Sequence, residues 1–325
     1  MSLAPSLPLR SPSPRSQHGI PLRAHFVWFG QAFPWVNVLA LRSAAIRGGF
    51  DEVVLHHDSD LSRTHHYQEL VATPRISLRR LDLPALFARC APYGSELNAV
   101  FLHLKSHAAR SDLVRFALLY AEGGVYLDID TVTLRSFEPL CRRTRAFCGE
   151  ERLVYPASVR LSRNPFTHAS ALARSQLRSL LRSVPRGWAI FRHIEHWYHL
   201  GANPAVLASA AGSRFITQAI DRLVSVPRER LSMPCAIGPH LLQDVLESYA
   251  GDEVEVHPPQ RFFPLGPEIS EHWFRMSSSV PLDEVVADAY IVHWYASVRS
   301  KHIIPQIDPE YVRRRADRQL FSKLA

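Results

Sequence analysis

The chain has 325 residues, 46% of them hydrophobic and 21% charged, with a formal net charge of +8. That is enough apolar material for the core of one large domain, and no apolar run reaches the roughly 18 residues that a membrane-crossing helix needs. The surplus of arginine suits phosphate-rich partners such as nucleotide phosphates or anionic lipid headgroups. No dense basic block is interleaved with aromatics, which argues against nucleic acid as the partner. The four cysteines, none in a Cys-x-x-Cys pair, point away from a zinc ribbon or a redox motif and fit free thiols in a reducing compartment.

Residues 1–20, rich in Ser, Pro and Arg, read as a disordered tail and lack the apolar centre of a secretory signal. The apolar run 24–29, closed by Gly30, predicts a buried strand. Residues 35–47 carry helical spacing and stop at Gly48-Gly49. Val53, Val54 and Leu55 mark a second strand over 51–57. Strand, helix, strand in this order predicts an α/β unit with a parallel sheet.

Leu102, Ala109, Leu113, Phe116, Ala117 and Tyr120 predict one helix over 99–121, ended by Gly123-Gly124 and followed by a strand over 125–129. The Arg- and Ser-rich stretch of about 140–235 reads as a helical and loop insertion. Gly238-Pro239 opens a helix over 240–249, and residues 251–275 read as loop with short strands. A last buried strand is expected over 289–294. The main domain spans 21–305, with 306–325 as a C-terminal tail or helix.

The chemistry concentrates at Asp128 and Asp130, in the run Gly-Gly-Val-Tyr-Leu-Asp-Ile-Asp. Two carboxylates one residue apart at a strand end reach a common divalent cation, and hard cations such as Mn²⁺ or Mg²⁺ leave positions open for phosphate oxygens. Upstream, Asp112 and Arg115 are three residues apart and share a helix face. They form either an ordinary ion pair or a carboxylate for sugar hydroxyls beside a guanidinium for the phosphate or sugar.

The stretch Ser111-Asp112 through Asp130, with Arg115, Gly123-Gly124, Tyr126 and the acid pair, resembles the core of glycosyltransferases with a DXD sugar-binding region. That family includes Golgi α-1,6-mannosyltransferases, α-1,4-galactosyltransferases and bacterial capsular polysaccharide enzymes, and large clostridial glucosylating toxins share the core more distantly. Weaker similarity extends to the first strand around Trp28, to Asn203, to Gly238-Pro239 and to Ile291–Trp294. The chain departs from the family's closing Ser-Trp, having Tyr295-Ala296-Ser297-Val298 instead.

The resemblance implies a GT-A-type, single Rossmann-like α/β domain and a metal-dependent, retaining transfer of a hexose. The donor would be a UDP- or GDP-hexose and the acceptor a glycan, a lipid-linked sugar or a protein. It assigns Asp112 and Arg115 to the donor sugar, and Asp128 to ribose or a metal-bound water. Asp130 would ligate the metal directly, Trp28 would pack on the base and Asn203 would face the sugar. His293 stands as a third metal ligand or as a packed histidine. Glu150 and Glu151 are candidates for a nucleophile but read rather as surface acids, so front-face transfer is expected. The localisation expected is cytoplasmic, with the basic surface able to meet membrane lipids.

Two other readings of the acid pair are open from sequence. Leu127–Val132 also fits a haloacid-dehalogenase-like phosphatase with Asp128 as nucleophile. The third is a nucleotide-sugar-binding module without catalysis.

Overall fold

The computed structural model describes residues 19–325 apart from Pro234 and Arg299, so the expected tail lies outside the described residues up to residue 18. Order is already present at Ile20, which is buried and donates its backbone N–H to the Cys141 carbonyl at 3.2 Å.

Among the described residues nine strands are formed: β1 (Arg23–Trp28), β2 (Glu52–His57), β3 (Ile76–Arg80), β4 (Gly124–Leu127), β5 (Thr131–Thr133), β6 (Ala146–Leu153), β7 (His199–Ser209), β8 (Val254–His257) and β9 (Ile291–His293). Seven of them make one sheet in the order β3-β2-β1-β4-β7-β6-β8. β1, β2, β3 and β4 pair in parallel, as do β6 and β8, while β7 runs antiparallel to both its neighbours. β5 and β9 form a separate antiparallel pair. This is the expected α/β architecture with a mainly parallel central sheet.

The sheet is covered on both faces. Along β1 and β4, Phe26, Val125 and Leu127 join one apolar cluster with the helix Trp35–Arg47. Val27 and Tyr126 join the other, with the helices Gly94–His103, His107–Glu122, Arg214–Val224 and Pro239–Ser248. Alternate residues of a strand face opposite sides, so a strand buried on both sides reads as a continuous apolar run.

Two expectations need correction. The single helix over 99–121 is two helices, Gly94–His103 and His107–Glu122. The break falls at Leu104–Ser106, where the Ser106 hydroxyl accepts the Ala109 N–H at 3.1 Å; a serine N-cap starts a new helix while the apolar spacing runs on across it.

The stretch 140–235 is not an insertion of helix and loop throughout, because it contributes β6 and β7, the two longest strands of the sheet. Their glycine, proline, asparagine and charged residues disfavour a strand locally, and sheet pairing overrides that preference. The helical part is the excursion between these strands, chiefly Pro165–Ser183 and Gly187–Ile194. Beyond residue 305 lie the short helices Pro309–Arg315 and Leu320–Leu324, the second largely buried.

Candidate active site

The helix His107–Glu122 reaches β4 through Gly123 and Gly124, whose φ values of +64° and +114° are open to glycine. A Cβ at Gly124 would lie 2.6 Å from the Arg23 carbonyl oxygen, so this tight turn also lets β4 sit against β1. Four residues later the strand ends and Asp128 begins the turn to β5. The Asp128 N–H donates to the Ala205 carbonyl at 2.8 Å, and the Thr131 hydroxyl donates to the Asp128 carbonyl at 2.7 Å. Asp128 and Asp130 therefore stand beyond the carboxyl end of a central strand, where open α/β sheets bind ligands.

Arg115 lies buried beneath this turn. One guanidinium nitrogen is 2.7 Å from Asp128 Oδ1, another is 2.9 Å from Asp112 Oδ1, and the group lies 4.2 Å above the centre of the Tyr126 ring. Burial opposes its charge, but Tyr126 and the two aspartates outweigh burial and hold the guanidinium above its usual range. Of the two sequence readings of Asp112 and Arg115, the ion pair is present, and Arg115 binds Asp128 as well.

Burial pushes the Asp112 carboxyl up to about 6 against the pull of Arg115. Gly238 presses on it from the other side, and a Cβ there would sit 2.6 Å from Asp112 Oδ2. The Gly-Pro seen in the sequence thus makes room for a carboxylate.

Asp130 is held from the far end of the chain. Its Oδ1 is 3.0 Å from His293 Nε2, its Oδ2 accepts the Ala296 N–H at 2.7 Å, and its carbonyl accepts the Trp294 N–H at 3.1 Å. The pairing of β5 with β9 sets this register, with Thr131 opposite His293. Burial alone would raise the Asp130 carboxyl; His293 and the Ala296 N–H override it and hold it below its ordinary value. The imidazole is raised in turn, Asp130 outweighing its burial.

Behind His293 lies a group that sequence reading undervalued. Glu151 is buried, not a surface acid, and its Oε2 accepts from Asn203 Nδ2 and from the Tyr295 hydroxyl, each at 2.7 Å. Tyr295 has φ +57° and its ring centre is 4.1 Å from that of His293.

Between Cys148 and Gly149 the β6–β7 register shifts, Cys148 opposing Leu207 but Gly149 opposing Asn203, with the extra residues on β7. The residues so displaced on β7 include Ala205, which receives the Asp128 N–H. Asn203, expected to face the sugar, spends its amide on Glu151 and, through Oδ1, on the Ala205 N–H at 2.8 Å. Trp28 closes β1 at the same sheet edge, edge-on to Phe33, and its indole N–H is buried without a hydrogen-bond partner among the described residues.

Asp128, Asp130 and His293 each offer one ligand atom, all within 4.8 Å of one another. Two carboxylates and an imidazole are a donor set that fits a divalent cation, with His293 Nδ1 also buried and unpartnered among the described residues.

Residues 48–147 match the family model described as "Glycosyltransferase sugar-binding region containing DXD motif", a span that contains Asp112, Arg115, Asp128 and Asp130. No curated protein matches the chain. Among solved structures, the PaToxG glycosyltransferase is 15% identical over 70% of this chain and 69% of its own, with a TM-score of 0.45. The ligand-free glycosyltransferase domain of the YGT toxin is 11% identical over 74% and 80%, at 0.44. Mouse xyloside xylosyltransferase 1 is 14% identical over 84% and 98%, at 0.40. At such scores the fold assignment stands on the strand order and directions given above.

Proposed function

We propose, from the premise that this chain is a glycosyltransferase carrying the DXD sugar-binding region, that it moves a hexose from a UDP- or GDP-linked donor with retention of configuration. The acceptor is a glycan, a lipid-linked sugar or a protein, and the metal is Mn²⁺ or Mg²⁺. The observation that carries this is the convergence of Asp128, Asp130 and His293 at the end of β4. A divalent cation held by these three residues supplies positive charge at the diphosphate leaving group.

The other residues take their roles from their surroundings. Asp112 sits where Gly238 leaves space and accepts hydroxyl hydrogen bonds from the sugar. Arg115 is a positioning residue: it fixes Asp112 and Asp128 relative to each other and neutralises their mutual repulsion. Trp28 packs on the base and has an indole N–H left to donate.

Glu151 is buried and bound through one oxygen to two donors, which fits a support for Tyr295 better than a nucleophile. Transfer then proceeds on one face. The acceptor oxygen bonds to the anomeric carbon as the bond to the diphosphate breaks, and the acceptor proton passes to a diphosphate oxygen.

The phosphatase reading gains nothing from the geometry. Asp128 is occupied by Arg115, and among the described residues neither a lysine nor a second acidic pair joins it. The test is nucleotide release from a panel of UDP- and GDP-hexoses with and without Mn²⁺. Metal-dependent release that Asp130→Asn abolishes supports the proposal. Release unchanged by that substitution sinks the site, and phosphate release with no dependence on the sugar favours the phosphatase.

A further inference from the structure

The positive charge of this chain is not spread evenly. Residues 152–194 contain eight arginines and no aspartate or glutamate, so this one segment accounts for the whole formal net charge of +8. It is the helical excursion between β6 and β7.

Most of these arginines are engaged within the fold: Arg178 and Arg182 pair with Glu268, and Arg192 donates to the carbonyls of Glu284 and Val285. Arg160 and Arg163 are different, because neither has an ion pair among the described residues. They flank Leu161, and Phe166 follows at the start of the helix Pro165–Ser183. These two side chains are the most exposed large apolar groups described, at 81% and 82%.

The turn that carries them is fixed by its own hydrogen bonds. Asn164 N–H donates to Ser162 Oγ at 3.1 Å, Phe166 N–H donates to Asn164 Oδ1 at 2.9 Å, and His168 Nε2 meets the Ser162 carbonyl at 2.7 Å. Two apolar tips are thus held outward against the hydrophobic effect, with two unpaired guanidiniums beside them.

We propose that this turn, residues 160–166, docks on an anionic lipid surface, with Leu161 and Phe166 entering the acyl boundary and Arg160 and Arg163 meeting headgroup phosphates. The charge decides the occupant. Arg160 and Arg163, with no acidic partner among the described residues, are drawn to a negative surface, and stable membrane attachment takes an apolar insertion and a basic patch together. A protein partner would need about 800 Å² per side around an apolar centre, and two protruding tips do not provide that.

Docking would hold the chain at the bilayer and favour a lipid-linked acceptor. That last clause rests on the transfer reading above, whereas the docking itself does not.

The test is co-sedimentation of the full chain with phosphatidylglycerol-containing vesicles and with pure phosphatidylcholine vesicles. Wild type should pellet with the anionic vesicles only. Leu161→Asp with Phe166→Asp should weaken that binding by about tenfold or more, since each loses an apolar insertion and adds a repelled charge. Arg160→Gln with Arg163→Gln should weaken it less and flatten its salt dependence.

Both double variants should keep the wild-type melting temperature and donor hydrolysis in solution, which separates failure of docking from failure of the transfer reading. The proposal is overturned if wild type ignores anionic vesicles or if the aspartate variant binds them as well. It is also overturned if soluble glycerol phosphate competes fully, making the site one for free phosphate. A concentration-dependent dimer that the aspartate variant abolishes would assign the patch to a second copy and overturn it too.

Discussion

Asp128 and Asp130 are one residue apart in sequence, yet different halves of the molecule hold them. Asp128 is gripped by Arg115, thirteen positions upstream on the helix that feeds β4. Asp130 is gripped by His293 and Ala296, which arrive 163 and 166 positions later. The first grip is an ion pair with a buried guanidinium that also binds Asp112. The second is one imidazole, one backbone N–H and the β5–β9 pairing behind them. A chelating pair needs its two carboxylates fixed relative to each other, and here that relation depends on the first strands and the last strand docking together.

Breaking the helix side should have the largest effect on the fold. Arg115→Met leaves Asp112 and Asp128 without their buried counter-charge, and removing one member of a buried ionic group costs about 3–5 kcal/mol. Urea melts should show that loss, and a variant of unchanged stability would mean the aspartates are hydrated rather than clamped.

Breaking the distant side should affect chemistry more than stability. Asp130→Asn removes a carboxylate from the metal-ligand set, and a metal supplies several kcal/mol of charge stabilisation, roughly a hundred- to thousandfold in kcat. Metal-dependent donor hydrolysis measures this directly.

Acid should attack the helix side first. His25 Nε2 lies 2.9 Å from the Gly123 carbonyl at the helix–strand turn, and its Nδ1 is 3.0 Å from His56 Nε2. The carbonyl requires His25 to donate from Nε2, so Nδ1 accepts and His56 donates; both rings are then neutral. Burial drives His25 down to about 4 from the ordinary 6.5, and drives His56 well down too, with His25 adding to it.

The unfolded chain therefore takes up protons first as pH falls. Stability should be level above about pH 7 and decline between roughly pH 6.5 and 4, by a few kcal/mol at most. Melting temperatures across that range check it, and His25→Gln should flatten the slope.

Smaller still is Tyr295→Phe, which takes one of the two donors from Glu151 and should cost about 1–3 kcal/mol. It should also raise the Mn²⁺ concentration needed for half-maximal hydrolysis, because Tyr295 lies against His293. Glu151→Gln should keep measurable transfer; complete loss of kcat with normal folding would instead make Glu151 a nucleophile.

The finest test is additivity. If the two grips are independent, the stability losses of Arg115→Lys and His293→Gln should sum to within about 0.5 kcal/mol in the double variant. A larger coupling would show that the carboxylates respond as one unit.

The same contrast explains what was legible in the sequence. The helix side is local: Asp112 and Arg115 at helical spacing, two glycines to stop the helix, an apolar strand and then acids, all within 19 consecutive residues. Each step follows from period and turn chemistry. The closing side depends on register between distant strands, which no local period encodes. His293 could be named as a candidate, but not its bond to Asp130, and the Ala296 N–H left no trace at all.

Glu151 was misjudged for a related reason. Nothing near Gly149-Glu150-Glu151 announces the distant Asn203 and Tyr295 that hold Glu151 in the interior. The ion pair of Arg115 with Asp112 was legible from their spacing, but its second bond, to Asp128, was not, because spacing shows which face a side chain shares and not what lies opposite. The strands β6 and β7 were missed because their composition resembles loop.

One further consequence concerns the order in which the molecule becomes competent. Phe321, in the helix Leu320–Leu324, packs edge-on to the Trp294 ring at 5.5 Å and lies 4.7 Å from the Phe274 ring, with Trp294 next to His293 in sequence. A chain leaving the ribosome presents the helix His107–Glu122 and β4 long before these aromatics exist. Until they arrive, Asp130 has neither imidazole nor amide, and the nascent protein holds half a chelate. Competence is therefore conferred late, and removing the helix Leu320–Leu324 should weaken metal-dependent hydrolysis while leaving the seven-stranded sheet paired.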